Sequence, residues 1–166
     1  METLIKTLLY EWKERQLPEV IPRENNLEGY LDQKIPKITA ITGFRRTGKT
    51  YLVFELIKKL LNEKNREQVV YINFEDERIP AQKEFLSKLL PTAEQILEEK
   101  VEYLFLDEIQ NIPEWSKWLR RIYDQTDIKI FVTGSSSKLS SREIPTELRG
   151  RCLEEKVFPL SFREFL

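Results

Sequence analysis

An apolar run, KITAIT (37–42), passes directly into Gly43-Phe44-Arg45-Arg46-Thr47-Gly48-Lys49-Thr50 and then into a helical pattern, YLVFELIKKLL (51–61). No other stretch constrains the fold as strongly. A strand that turns through two glycines straight into a helix gathers the helix's first free N–H groups at one point, where they attract an anion. The spacing G-x-x-x-x-G-K-T is that of a loop that cradles phosphates. Four fixed positions match by chance roughly once in a hundred chains of this length or more rarely. The strand before the loop and the helix after it set this instance apart from a plain glycine turn.

In this reading the backbone N–H groups of 43 to 50 face the phosphates. Gly43 and Gly48 permit the tight path, Lys49 reaches the β- and γ-phosphates, and Thr50 offers its hydroxyl to Mg²⁺. Arg45, Arg46, Thr47 and Tyr51 complete the expected nucleotide-contacting set, with phosphate, a partner or water as the arginines' alternatives. A second motif, YLFLDEIQ, runs four apolar residues into Asp107 and Glu108. The carboxyl end of a strand is where open α/β sheets place ligands. Asp107 suits a water-mediated hold on Mg²⁺, and Glu108 can take a proton from the attacking water. A solvated acidic pair at a strand end is the plainer alternative.

The rest of the chain alternates. An amphipathic helix is expected over 2–16, with Ile5, Leu8, Leu9 and Trp12 on one face. Further strands are expected at QVVYINF (68–74), VEYLFL (101–106), DIKIFVT (127–133) and CLEEKVF (152–158). Between them lie two helical pieces between Pro80 and Lys100, broken by Pro91, and a helix opened by Pro113. That last helix carries Trp115, Trp118, Leu119, Ile122 and Tyr123 on one face, a stripe read as core rather than as a base-stacking platform. Strand–helix alternation implies an α/β three-layer sandwich, a parallel five-stranded sheet with helices on both faces. The chain divides into an N-terminal helix and linker (1–36) and a core (37–166). Ser161 and Glu164 form a capping box that opens a helix at the very end, so continuation into a longer protein is expected.

Composition narrows the chemistry. There is no histidine and only Cys152, so zinc sites, histidine acid–base catalysis and an internal disulfide are excluded. Cys152 is expected to be an inert packed thiol. The formal net charge is −1, which gives nucleic acid no electrostatic support as a partner. No apolar run approaches the length of a membrane span, and the acidic N-terminal stretch does not read as a secretory signal; a cytoplasmic protein is the expectation.

Taken in order, GFRRTGKT, YINFEDER, LFLDEIQ, FVTGSSS, LRGR and FPLSFREFL resemble the prokaryotic ATPases of the AAA-like family. The resemblance spans roughly residues 20 to 166. It implies a P-loop NTPase fold with strand order 5-1-4-3-2, ATP and Mg²⁺ as cofactors, and a C-terminal nuclease-like domain missing here. It also admits self-association. In that order the tip of the fourth strand lies beside the γ-phosphate, so Thr133 and Ser135 are the favoured phosphate sensors, with Ser136 next to them. Asn73 or Glu75 could hold Glu108 at rest. Arg149 and Arg151 are candidate catalytic arginines acting on γ-phosphate in their own subunit or in a neighbour's, with salt bridges to Glu147 or Glu154 as the alternative. A GTPase lacks support because no N-K-x-D motif is present, and the Asp-Glu pair favours water over a substrate hydroxyl as acceptor. An ATP-dependent switch with little turnover and a DNA-acting motor remain as rivals.

Overall fold

The computed structural model describes residues 1–21, 23, 27–32, 37–135 and 146–161. Five strands form one parallel sheet: β1 (Ile38–Gly43), β2 (Val69–Asn73), β3 (Tyr103–Asp107), β4 (Lys129–Ser135) and β5 (Cys152–Val157). Their spatial order is β2-β3-β4-β1-β5, the expected 5-1-4-3-2 read from the other edge. Helices α1 (Glu2–Glu14), α2 (Lys49–Leu60), α3 (Lys83–Ile96) and α4 (Trp115–Gln125) cover it. Ser136, Glu164 and the Glu147 side chain fall outside the described residues.

Alternate residues along each strand feed two separate cores, which is why β3 is apolar from Tyr103 to Leu106. Leu104 and Leu106 pack with Phe85 and Leu89 of α3 and Leu119 of α4. Tyr103 and Phe105 pack on the other face with Leu52, Leu56 and Ile57 of α2. Across the second core, Phe105 and Phe131 stack with their centroids 4.7 Å apart. Helix α1 lends Ile5, Leu8 and Leu9 to the first core and Trp12 to the second. It thereby guards edge strand β2: Trp12 Nε1 donates to the Val69 carbonyl at 2.6 Å, satisfying an edge acceptor. Trp118 is buried and Trp115 packs against the same core, as the stripe on α4 implied. Cys152 also leans on that core, and burial pushes its thiol up to about 12.

One element departs from expectation. The break at Pro91 does not occur: α3 runs unbroken from Lys83 to Ile96 with Pro91 inside it. Proline removes one helical N–H and crowds the carbonyl of Ser87. Both residues are exposed, so water can serve that carbonyl, while Phe85, Leu86, Leu89, Leu90 and Ala93 pin the helix on either side. Among the described residues no helix is long and apolar enough to cross a membrane.

Candidate nucleotide site

The carboxyl ends of β1, β3 and β4 converge on the loop between β1 and α2. Gly43 closes β1 in register with Val157 of β5 and Ser135 of β4. A Cβ on Gly43 would lie 2.4 Å from the Val157 carbonyl oxygen and 2.8 Å from Thr47 Oγ1. The first contact is with backbone and cannot swing away. Gly43→Ala is therefore expected to cost about 2–3 kcal/mol, as overpacking does, or to push the loop off β5. Chemical denaturation of the variant beside the wild type measures this.

Gly48, at φ 89°, caps α2 without a side-chain acceptor, so the first N–H groups of that helix stay open. Arg46 also adopts a left-handed backbone, φ 65°, a conformation costing a non-glycine residue about 1–2 kcal/mol. Within the loop, Thr47 Oγ1 donates to the Phe44 carbonyl at 2.9 Å.

Lys49 is 5% exposed and folded back over its own loop. Its Nζ donates to the carbonyls of Gly43 (3.3 Å) and Phe44 (3.1 Å) and lies 3.7 Å from Glu108 Oε1. The ammonium is thus held where phosphates bind in loops of this pattern. Thr50 Oγ1 donates to Asp107 Oδ2 at 2.8 Å, which leaves its own lone pairs available to a cation.

Asp107 ends β3 and is only 1% exposed, yet each of its oxygens is served. Tyr71 OH donates to Oδ2 at 2.9 Å and Thr133 Oγ1 donates to Oδ1. Burial and the neighbouring Asp107 charge push the Tyr71 phenol far above its ordinary range, so it stays a neutral donor. Thr133 in turn accepts the Glu108 N–H at 3.0 Å. Glu108 sits at φ 55°, and Gln110 Nε2 donates to its carboxylate. A non-glycine residue in that region is uncommon and worth a functional question.

Of the residues singled out from sequence, Lys49, Thr50, Asp107, Glu108 and Thr133 therefore meet at one point, with Gly43, Thr47, Gly48 and Ser135 framing it. Arg45 and Tyr51 are exposed at its margin. Asn73 and Glu75 do not hold Glu108. Asn73 Oδ1 accepts the Glu75 N–H at 2.9 Å instead, because a turn closes there and uses the amide locally. Lys49 and Gln110 take that place.

Arg149 and Arg151 lie at the wrong end for action within one subunit. Cys152 pairs with Ile38, so both arginines precede the amino-terminal edge of the sheet. The length of β1, about 17 Å at the usual strand rise, separates that edge from Gly43. Arg151 Nε donates to Asp124 of α4 at 2.9 Å.

Three residues in the site gave no signal in the sequence. Tyr71 looks like any strand aromatic. Gln110 follows the acidic pair without a pattern. Arg23 lies in an aperiodic stretch, yet its guanidinium donates to the carbonyls of Thr47 (3.0 Å) and Phe158 (2.8 Å). It ties the segment before β1 to the loop and to the chain beyond β5. Beside it a cavity of about 440 Å³, lined by Ile21, Arg23, Arg46, Tyr51, Pro159 and Leu160, opens onto the loop. A second cavity of about 450 Å³, between α1 and β2, is bordered by Trp12, Arg15 and Tyr71 and lies away from the loop.

The donor set suits magnesium. Thr50 and Asp107 offer hard oxygens, and among the described residues there is no group of three or more acidic, cysteine or histidine side chains able to cage a metal alone. A cation with one or two protein ligands that completes its shell with water and phosphate fits such a set.

Comparison with known proteins bears on the family and the fold. An uncharacterized protein of Methanocaldococcus jannaschii is 48% identical over 78% of this chain and 28% of its own length. One from Haemophilus influenzae is 34% identical over 89% of this chain and 38% of its own. The chain thus spans well under half the length of these relatives. Among solved structures, Saccharomyces cerevisiae Hsp104 in its ADP complex superposes with a TM-score of 0.65 at 15% identity, over 95% of this chain and 25% of that one. That likeness speaks for the fold alone. A family model described as "AAA domain" matches residues 36–166. The chain belongs to the AAA domain family of P-loop ATPases.

Proposed function

We propose that this chain binds Mg·ATP at the loop 43–50 and hydrolyses the γ-phosphoanhydride, coupling turnover to conformational change in a longer protein. The observation that carries the reading is the meeting of Lys49, Thr50, Asp107, Glu108 and Thr133 at the end of one parallel sheet. Backbone N–H groups of 43–50 hold the phosphates, and Lys49 leaves its two carbonyl partners to neutralise the β- and γ-oxygens. Thr50 and Asp107 would hold the metal, Asp107 through water, and bound Mg²⁺ would supply charge neutralisation. Glu108 orients the attacking water and accepts its proton, while Thr133 fixes the Glu108 backbone. Positioning and charge stabilisation do most of the work in such a transfer. The 440 Å³ cavity beside Arg46 and Tyr51 is where the base fits best. ADP in the similar Hsp104 complex favours adenine. Phosphate release from ATP by the 166-residue chain, with Mg²⁺ and then with EDTA, tests the reading; release unaffected by EDTA, or none at all, counts against it.

One observation favours the switch reading. With Lys49 paired to Glu108 and Gln110 also on that carboxylate, the base is restrained at rest. A chain that binds ATP tightly and turns it over only with a partner would behave this way.

Arg149 and Arg151 are proposed to act on a neighbouring subunit's nucleotide, since neither is near its own loop. Mixing Arg151→Ala with Lys49→Ala protein is then expected to restore part of the activity that each lacks alone, and likewise for Arg149→Ala. The specific rate of the wild type should rise with concentration. If both arginine variants turn over at the wild-type rate, the pair is structural.

A further inference from the structure

Resting on the magnesium reading above, we propose that Tyr71 is a positioning residue that fixes Asp107 for metal binding. Asp107 accepts three hydroxyls, from Thr50, Tyr71 and Thr133. Two of these have a second duty: Thr50 offers its lone pairs to the cation, and Thr133 accepts the Glu108 N–H. Tyr71 has no second hydrogen bond among the described residues and approaches from β2, the edge strand, which contributes nothing else to the carboxylate.

Its ring is gripped on several sides. Trp12 of α1 lies 5.3 Å away and Phe54 of α2 5.0 Å away, centroid to centroid. The Arg15 guanidinium lies 5.0 Å from the Phe54 ring and 5.7 Å from that of Tyr71. With 4% exposure and this packing, the ring is held beside the α1–β2 cavity, and its hydroxyl shares with Thr50 the placing of Asp107 Oδ2. Phenylalanine would fill the same space. Burying a phenol is unfavourable unless its hydroxyl finds a partner, and the partner here is the metal-holding carboxylate. Removing the outer partner of a direct metal ligand ordinarily lowers metal affinity about 10–100-fold, and because Asp107 acts through water the loss expected here lies at the foot of that range.

The test uses Mn²⁺ in place of Mg²⁺, with a non-hydrolysable ATP analogue and the 166-residue chain, and reads free Mn²⁺ by electron paramagnetic resonance. Tyr71→Phe should weaken Mn²⁺ binding about tenfold, while analogue affinity in EDTA stays at the wild-type value. Trp12→Phe, which keeps the hydroxyl and loosens the ring's packing, should lose less. Unchanged Mn²⁺ affinity in Tyr71→Phe overturns the assignment. So does an equal loss of metal-free analogue affinity, a Trp12→Phe loss as large, or a Tyr71→Phe chain that fails to fold, since each makes the role structural. Wild-type protein that binds no Mn²⁺ with the analogue overturns the magnesium reading itself, and this inference with it.

Discussion

Lys49→Ala is expected to weaken ATP binding about a hundredfold or more while leaving the fold in place. The lysine supplies charge-assisted hydrogen bonds to phosphate, each worth about 1.5–3 kcal/mol, and the loop's amides alone make only a modest anion site. In the free protein its removal releases two loop carbonyls and one arm of the Glu108 contact. Glu108 keeps the Gln110 amide, and its side chain is 17% exposed, so no buried charge is left without a partner. A calorimetric titration with ATP reads the affinity, and the circular dichroism melting curve reads the fold. Equal affinity in wild type and variant would remove the lysine from the phosphate site.

Glu108→Gln is expected to separate binding from chemistry. The amide keeps the shape of the side chain but cannot take the proton from water, so turnover should fall about 10²–10⁴-fold. Binding should hold or tighten slightly, because Lys49 no longer has to leave a carboxylate when phosphates arrive. Single-turnover hydrolysis of labelled ATP measures the first effect and calorimetry the second. A Glu108→Gln chain that hydrolyses at the native rate would move the general base elsewhere.

The parts of the fold that repeat were legible in the sequence. Apolar runs of strand length alternate with 3.6-period patterns, which is enough for a parallel sheet between two helical layers. Periodicity says nothing about which strands are neighbours, and the order 5-1-4-3-2 came from the resemblance to AAA-like ATPases. Pro91 misled because a local rule was outweighed by an apolar stripe on both sides of it. The position of Arg149 and Arg151 was readable in principle. In a parallel sheet, residues just before one strand lie at the opposite end from residues just after another, so LRGR before β5 could not sit beside GFRRTGKT after β1. Tyr71, Gln110 and Arg23 were illegible for a common reason. Each acts through one long-range contact, and a single hydrogen bond between distant elements leaves no period or motif behind.

Backbone amide shifts on titration with Mg·ATP, recorded by ¹H–¹⁵N correlation spectroscopy of the labelled chain, test most directly whether the loop holds the phosphates. The expected result is a saturable one-to-one transition whose largest shifts fall on Gly43 to Thr50 and on Glu108. The amides of α4, around Arg120 and Arg121, should stay within the noise. No saturable shifts, or shifts centred away from residues 43–50, would contradict ATP binding at this site.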